Sequence, residues 1–155
     1  MNAPAHCLVV LHGANLNLLG ERPSAHYGSI TLAALEDMVA REAGRLGWTC
    51  IFRQTNYEGA FIEFIHEHRH ADAILLNPGA WTHYSYAIHD ALEVATCPVA
   101  EVHLSDISVR EEWRRRSVLS PVATFTIAGK GPEGYLEAVT RLIALAEAGH
   151  GRQGV

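Results

Sequence analysis

Polar side chains that could hold and deprotonate a small oxygenated molecule are concentrated in residues 12–28, here called the lid segment. This segment follows a short apolar run and shows no helix or strand period. Long connections without regular structure are uncommon inside compact chains, and they are typical of active-site lids and binding loops. The segment carries Asn15, Arg22 and Tyr27. These residue types predict a substrate anchor, a group that activates a base and the base itself.

Tyr27 is the candidate base. The ordinary pKa of a tyrosine is about 10, which is too high for a base at neutral pH. A guanidinium in contact with the phenol can lower that pKa by roughly 1–3 units. Arg22 stands on the same segment, and Arg110 could approach from elsewhere in the fold. The alternative is a tyrosine that packs against Arg22 in solvent, and spacing alone leaves both interpretations open.

His103 is the candidate general acid. It ends an apolar run, and Glu101 stands two residues before it. Alternate residues of a strand point to the same face, so the Glu101 carboxylate could fix the imidazole tautomer or hold the ring protonated. The alternative is a half-buried histidine at a strand end with a satisfied hydrogen bond.

Asn77 opens an Asn-Pro-Gly turn, and its amide can both donate and accept hydrogen bonds to a hydroxyl or carboxylate. His83 follows beside the start of a predicted helix, where free backbone N–H groups favour anions. The alternative is a turn whose Thr82 or Ser85 caps that helix.

Five short apolar runs predict the strands that position these residues. The runs are almost continuously hydrophobic, which is typical of strands buried on both faces of a parallel sheet. Helical patterns separate them; one has Thr31 as its N-cap and Gly47 as its stop, and the last follows Pro132. The order predicts one doubly wound α/β domain. The predicted strands are Cys7–Leu11, Thr49–Arg53, Ala73–Leu76, Val99–His103 and Thr124–Ala128.

In such folds ligands bind beyond the carboxyl ends of the strands. The lid segment and residues 54–59, 77–83 and 103–106 all follow predicted strands, and all are rich in groups that bind or transfer protons. The sequence therefore predicts a single site at this edge of the sheet.

Composition excludes several classes of function. The chain has 155 residues and a formal net charge of −5, and no basic tract alternates with aromatic residues, so it is not expected to bind nucleic acid. The basic run at 114–116 is interpreted as a solvated face. The three cysteines are predicted to be reduced thiols of a cytosolic protein. No signal peptide or apolar run of transmembrane length is recognised.

Two motifs point to other chemistry. Residues 66–70 match the HExxH pattern of zinc proteases, but this stretch closes a predicted helix on the side away from the other reactive groups, so a solvated helix end is favoured. Lys130 is the only lysine and lies in a glycine-rich turn, which argues against Schiff-base catalysis.

Several motifs, in the same order and with nearly the same spacing, resemble those of the type II 3-dehydroquinate dehydratases over about residues 7–146. They are Gly-Ala-Asn-Leu-Asn-Leu-Leu-Gly (13–20), Arg22 with Tyr-Gly (27–28), Arg-Gln-Thr-Asn-Tyr-Glu-Gly (53–59), Asn-Pro-Gly-Ala-Trp-Thr-His (77–83), Glu-Val-His-Leu-Ser (101–105), Arg-Glu-Glu-Trp-Arg (110–114) and Ser-Val-Leu-Ser-Pro-Val (117–122).

The resemblance implies a flavodoxin-like fold, no metal, no cofactor and a dodecamer built as a tetramer of trimers. It also implies anti elimination of water from 3-dehydroquinate through an enolate. Tyr27 would be the base, with Arg22 and, as an assisting residue, Arg110 activating it. Asn15 would hold a water for the enolate, and His103, oriented by Glu101, would protonate the leaving hydroxyl. The implied substrate-binding residues are Asn77, His83, Asp90, Leu104, Ser105 and Arg114.

This chain departs from the family pattern without losing a catalytic side chain. The residues concerned change the first loop, the lid segment and the strand-end turns, and we expect them to affect rate, affinity and lid dynamics. The departures leave open an alternative function: the chain would be a binding protein on the same fold that is either inactive or specific for a related polyhydroxy acid. They are Ala14, Pro23, Trp81, His89 and Asp106.

Overall fold

The computed structural model describes residues 5–150 and contains one parallel sheet. The strand order is β2-β1-β3-β4-β5, the flavodoxin-like order of a doubly wound sheet. The predicted fold class is confirmed. The strands are β1 (Cys7–His12), β2 (Thr49–Gln54), β3 (Ala73–Asn77), β4 (Val99–His103) and β5 (Phe125–Ala128).

The strands form where the apolar runs predicted them. Every residue of β3 and β4 is buried, as expected for central strands covered on both faces. β1 and β3 each extend one residue beyond the predicted run, to His12 and Asn77, which pair in the parallel register. His12 therefore belongs to the sheet, and the prediction that placed it in the lid segment is wrong at that residue.

Helices cover both faces of the sheet. The Thr31 hydroxyl caps the second helix by accepting from the Ala34 amide at 3.2 Å, as predicted, and Gly47 follows the helix end with φ of 81°. The helices are α1 (Ser24–Tyr27), α2 (Leu32–Arg45), α3 (Glu58–His68), α4 (Tyr86–Leu92) and α5 (Pro132–His150).

Two hydrophobic cores result from the alternation of side chains along the strands. Leu8 and Val10 of β1 pack in the core beneath α2 and α5, whereas Val9 and Leu11 pack in the core beneath α3 and α4. Alternate residues of β1 therefore pack against different pairs of helices.

The lid segment contains more regular structure than expected. Leu16–Leu18 form a 3₁₀ turn, and α1 is a single helical turn. One turn is too short to produce a hydrophobic period, which explains why the sequence pattern missed it. Leu16 and Leu19 are buried in the core, so both ends of the 3₁₀ turn are anchored.

The carboxyl-terminal helix continues through His150. The sequence also predicts a frayed tail at about residues 149–155. Helix α5 includes the first two of these residues, and residues 151–155 lie outside the described residues. Within residues 5–150, no helix combines the length and the apolar character needed to span a membrane.

Candidate active site

A pocket with about 410 Å³ of empty space, counted with its open mouth, lies beyond the carboxyl ends of β3 and β4. Most of the predicted site residues line it, although they come from distant parts of the chain. They are Arg22, Tyr27, Asn77, His83, His103, Leu104, Ser105, Arg110 and Arg114.

Three predicted site residues do not line this pocket. Glu101 is completely buried behind His103. Asn15 is exposed, and its backbone has φ of 67° while its amide donates to the Asn56 side chain at 2.8 Å. Asp90 is exposed on α4. Glu101 can thus act only through His103, and the roles of Asn15 and Asp90 stay predictions.

Two arginines converge on the phenolic oxygen of Tyr27. Arg22 Nη2 donates to this oxygen at 2.9 Å, and Arg110 Nη1 donates at 3.3 Å. The Arg22 guanidinium also lies over the tyrosine ring, 3.8 Å from its centre. Charged donors of this kind stabilise a phenolate. The arrangement therefore suits a tyrosine that works as a base.

The same arginines give the pocket a positive potential. Burial lowers the pKa of the Arg22 guanidinium, and the charges of Arg114 and Arg110 lower it further, while Tyr27 opposes them. One carboxylate, that of the exposed Glu111, lies 3.3 Å from Nε of both Arg110 and Arg114. The clustered guanidinium groups favour an anionic ligand.

His103 is held by a buried carboxylate. Its Nε2 donates to Glu101 Oε1 at 2.6 Å, and both side chains are buried. A carboxylate can only accept, so this contact places a proton on Nε2 and leaves Nδ1 as the other proton-transfer position. The histidine and the carboxylate lie on the same face of β4, as predicted from their spacing. The geometry fits a general acid whose ring Glu101 orients.

Hydroxyl groups satisfy the remaining acceptor sites of Glu101. Thr82 donates to Oε1, Ser117 donates to Oε2 at 2.8 Å, and Thr126 donates to Oε2 at 3.4 Å. Burial alone would raise the pKa of Glu101, but hydrogen bonds from His103, Thr82 and Ser117 outweigh burial and hold that pKa below its usual range. Glu101 is consequently an anion around neutral pH.

His83 is held as a neutral acceptor. Its Nδ1 donates to the Arg116 carbonyl at 2.8 Å, which leaves Nε2 with a lone pair. Burial lowers the pKa of His83, and the nearby charges of His103 and Arg114 lower it further. The ring stacks on His103 and meets the edge of Trp113. A substrate hydroxyl can therefore donate to His83.

The Asn77 amide is fixed from two sides. Its Oδ1 accepts from the Gly79 amide at 3.1 Å, and its Nδ2 donates to the Tyr135 hydroxyl at 2.9 Å. Gly79 has φ of 66°, and a Cβ there would lie 2.6 Å from the Ala14 carbonyl oxygen. The turn after β3 thus packs backbone against backbone with the loop after β1, which only glycine permits.

The sequence analysis did not identify the hydroxyl groups that contact Glu101 behind His103. Thr82 was considered only as a helix cap, whereas the structure assigns that cap to Ser85, whose hydroxyl accepts from the Ile88 amide. Thr82, Ser117 and Thr126 instead contact Glu101. A hydroxyl partner for a buried acid has no local sequence signal, although Thr126 is the register partner of Glu101 on the neighbouring strand.

The competing motifs do not assemble a site. Helix α3 ends at His68, so His66 and His70 are not on one helix face, and His70 instead contacts the Thr96 hydroxyl. Among residues 5–150, no group of three His, Cys, Asp or Glu side chains is arranged to hold a metal ion. Lys130 pairs with Glu137 on the surface. In the basic run, Arg115 and Arg116 are exposed as predicted, but Arg114 lines the pocket, so the interpretation as a solvated face is wrong there.

Three of the five departures from the family pattern have defined contacts in the fold. Trp81 is buried with its ring edge-on to Phe61. The His89 ring donates from Nδ1 to the Val118 carbonyl at 2.7 Å. Asp106 accepts from both the amide and the hydroxyl of Ser108, which closes the turn after β4.

Comparisons with known proteins agree with this geometry. Residues 6–143 match the family model of class II dehydroquinases. A 3-dehydroquinate dehydratase of Streptomyces avermitilis is 49% identical over 152 residues, covering 96% of this chain and 92% of the relative. One from Pelotomaculum thermopropionicum is 47% identical over 140 residues, covering 90% and 97%.

The chain belongs to the class II dehydroquinase family. The crystal structure of a type II dehydroquinase from Butyrivibrio crossotus superposes with a TM-score of 0.87 at 39% identity, covering 91% of this chain and 99% of that one. Every residue that lines the pocket lies within the range matched by the dehydroquinase model.

Proposed function

We propose that this chain is a hydro-lyase that eliminates water from 3-dehydroquinate to give 3-dehydroshikimate. One observation carries the proposal: a phenol that contacts two guanidinium groups lines the same pocket as an imidazole backed by a buried carboxylate. A pocket with both a base and an acid suits the removal of a proton and a hydroxyl from neighbouring carbons. Membership of the dehydroquinase family supports the choice of substrate.

Proton abstraction is assigned to Tyr27. As a phenolate, stabilised by Arg22 and Arg110, it takes the proton from the carbon between the ketone and the carbon that bears the leaving hydroxyl. The electron pair of that C–H bond moves toward the ketone oxygen and forms an enolate. We assign stabilisation of the enolate to a water held by Asn15, an arrangement of the oxyanion-hole type.

Loss of water is assigned to His103. The protonated ring gives its proton to the departing hydroxyl, which leaves as water while the enolate electrons form the new carbon–carbon double bond. Glu101 compensates the positive charge on the ring before this step and keeps the ring oriented. Proton exchange with solvent returns Tyr27 to the phenolate and His103 to the acid, which closes the cycle.

Substrate binding is assigned to the remaining polar groups of the pocket. Arginine groups supply the positive charge for a carboxylate, and Arg114 offers a planar fork for the carboxylate or for hydroxyls. His83 accepts from one hydroxyl, Asn77 binds another, and the Leu104–Ser105 backbone contributes N–H groups at the end of β4. The lid segment, which brings Arg22 and Tyr27, covers the bound substrate.

The proposed assembly is a dodecamer arranged as a tetramer of trimers, and the proposed location is the cytoplasm. The assembly bears on the site because Asp90 does not line the pocket of its own subunit. Its proposed role in binding substrate therefore requires that it reach the pocket of a neighbouring subunit. Size-exclusion chromatography with light scattering measures the assembly.

The direct test is to mix the protein with 3-dehydroquinate and follow the ultraviolet absorbance of the conjugated enone product. We expect turnover that persists after treatment with a chelator and after incubation of enzyme and substrate with borohydride. Loss of activity with the chelator would contradict a reaction without metal, and inactivation by borohydride only when substrate is present would indicate an imine. Calorimetric binding of 3-dehydroquinate without turnover would instead identify a binding protein on this fold.

A further inference from the structure

A second polar cluster lies behind Asn77, on the sheet face covered by α2 and α5. His12, the last residue of β1, is the register partner of Asn77 on β3. Paired residues of parallel strands point to the same face, so both side chains point toward these helices. His12 is only 1% exposed, yet neither of its ring nitrogens has a hydrogen-bond partner among residues 5–150.

Two side chains hold the His12 ring. From α2, Glu36 Oε1 lies 3.4 Å from Nδ1. From α5, the Tyr135 ring stacks on the imidazole, with 5.9 Å between ring centres and 29° between ring planes. These are the titratable groups that the structure places against His12 from the two helices. The His12 ring thus contacts the Glu36 carboxylate on α2 and the Tyr135 ring on α5.

Tyr135 connects this cluster to the pocket. Its hydroxyl accepts from Asn77 Nδ2 at 2.9 Å, and the side chain is completely buried. Burial raises the pKa of Tyr135, and the Glu36 charge raises it further, against the opposing effect of the Asn77 hydrogen bond. Tyr135 is therefore a neutral phenol. Its oxygen orients the Asn77 amide and does not act as a base.

The orientation of the Asn77 amide depends on this oxygen. An amide can rotate by half a turn and exchange its donor and acceptor ends. The Gly79 amide fixes Oδ1 and the Tyr135 hydroxyl fixes Nδ2, so the second hydrogen on Nδ2 and the second lone pair on Oδ1 have defined directions. A displaced Tyr135 would release one of these two constraints.

We propose that His12 is a positioning residue for substrate binding: its ring, held by Glu36, keeps Tyr135 where the phenol fixes the Asn77 amide. The proposal rests on the substrate-binding role proposed above for Asn77. His12 acts through Tyr135 and Asn77, and it does not line the pocket itself. It differs from an ordinary core residue because burying an imidazole costs free energy that a polar partner must offset, and the nearest such partner is the Glu36 carboxylate, 3.4 Å from Nδ1.

The chain offers a matched control on the same strand. Val10 lies two residues before His12, faces the same helices and is completely buried. Val10→Ala opens a cavity in the same core and removes no side chain of the Glu36–His12–Tyr135–Asn77 series, so it measures the effect of loosening that core.

The experiment compares steady-state kinetics of His12→Ala, Tyr135→Phe, Glu36→Gln and Val10→Ala with 3-dehydroquinate. We expect His12→Ala and Tyr135→Phe each to raise KM about tenfold and to change kcat by less than about twofold, because the lost contact serves ground-state and transition-state binding equally. Glu36→Gln should raise KM about threefold, and it keeps the test available if His12→Ala does not fold. Val10→Ala should lower the melting temperature and leave KM unchanged.

The double variant His12→Ala/Tyr135→Phe tests the series itself. If His12 acts through Tyr135, the double variant should have a KM no higher than the larger single effect. Effects that multiply, or a KM after His12→Ala no higher than that of Val10→Ala, would overturn the proposal.

Asn77→Ala separates this proposal from the site role on which it rests. A raised KM for Asn77→Ala together with an unchanged KM for folded His12 and Tyr135 variants would overturn the positioning role alone. An unchanged KM for Asn77→Ala would overturn the assigned role of Asn77 and the positioning role with it. Absence of turnover in the unmodified protein would overturn the proposed reaction.

Discussion

Arg22 contacts Tyr27 in two ways: its guanidinium lies 3.8 Å from the ring centre while Nη2 donates to the phenolic oxygen at 2.9 Å. The stacking contact restrains the tyrosine side chain, and the hydrogen bond places a positive charge at the atom that would lose its proton. The two residues are close neighbours on the lid segment. Positioning and activation of the proposed base therefore depend on one local structure.

We predict that Arg22→Gln lowers kcat by about 10²-fold, because the developing phenolate loses a charged donor and its ring loses a stacking partner. Arg110→Gln should have a smaller effect, since its donor lies at the longer distance of 3.3 Å. Arg41→Gln is the control, since Arg41 pairs with Asp37 on the surface of α2. Steady-state rates of the three variants measure the difference, and equal rates for Arg22→Gln and Arg41→Gln would contradict the activating role.

The ionised state of Glu101 gives a prediction about pH. Its pKa in the folded protein lies below the ordinary value of 4.5. The stabilisation from this shift is therefore complete above about pH 4.5 and is lost as the pH falls through the lower pKa of the folded state. Urea unfolding of the unmodified protein and of Glu101→Gln, measured between pH 3 and 7, should show a stability difference that is constant above about pH 5.5 and shrinks below 4.5. A difference that grows in acid would mean that the folded protein raises this pKa.

Much of the fold and part of the site could be predicted from the sequence. The strands are continuous apolar runs, so β4 was predicted with its observed ends, and Glu101 and His103 were placed on one face from their spacing alone. Ligands of α/β folds bind beyond the carboxyl ends of the strands, and this rule predicted Asn77, His83 and His103 at one edge of the sheet, where the pocket lies. Local periodicity and a general rule of α/β folds were sufficient for these residues.

Other features depended on contacts that only the folded chain creates. The single turn of α1 has no period to detect. The hydroxyls of Thr82 and Ser117 reach Glu101 across 19 and 16 residues of sequence. His12 was assigned to the lid segment because a histidine ends an apolar run, yet pairing with both β2 and β3 extends the strand to include it. No local pattern encodes such long-range partners.

Ser117 should position Glu101. We predict that Ser117→Ala destabilises the fold by about 1–3 kcal/mol, because a buried carboxylate loses a donor, and that kcat falls several-fold while KM changes little. Ser120→Ala is the matched control, since among the described residues its exposed hydroxyl donates only to the Ser117 carbonyl, at 3.4 Å. Chemical denaturation and kinetics measure both variants. Equal stability of the two would show that the carboxylate does not need this hydroxyl.

Gly79 and Gly44 should respond oppositely to the same substitution. Gly79→Ala forces a side chain into φ of 66° and against the Ala14 carbonyl, so we expect a stability loss of more than about 1–2 kcal/mol and a raised KM, because Asn77 shares this turn. Gly44 lies within α2 with open space where a Cβ would lie, and Gly44→Ala should stabilise the protein by about 0.5–1 kcal/mol. Thermal unfolding distinguishes the two, and a neutral Gly79→Ala would contradict the close packing of these loops.

The assignment of Tyr27 as the base is tested most directly by Tyr27→Phe, which removes one oxygen and keeps the ring beneath Arg22. Enone formation from 3-dehydroquinate should be followed at saturating substrate, with calorimetry to confirm that the variant still binds and circular dichroism to confirm that it folds. We predict a loss of kcat of at least about 10³-fold with binding retained. A folded Tyr27→Phe that turns over within tenfold of the unmodified enzyme would contradict the mechanism.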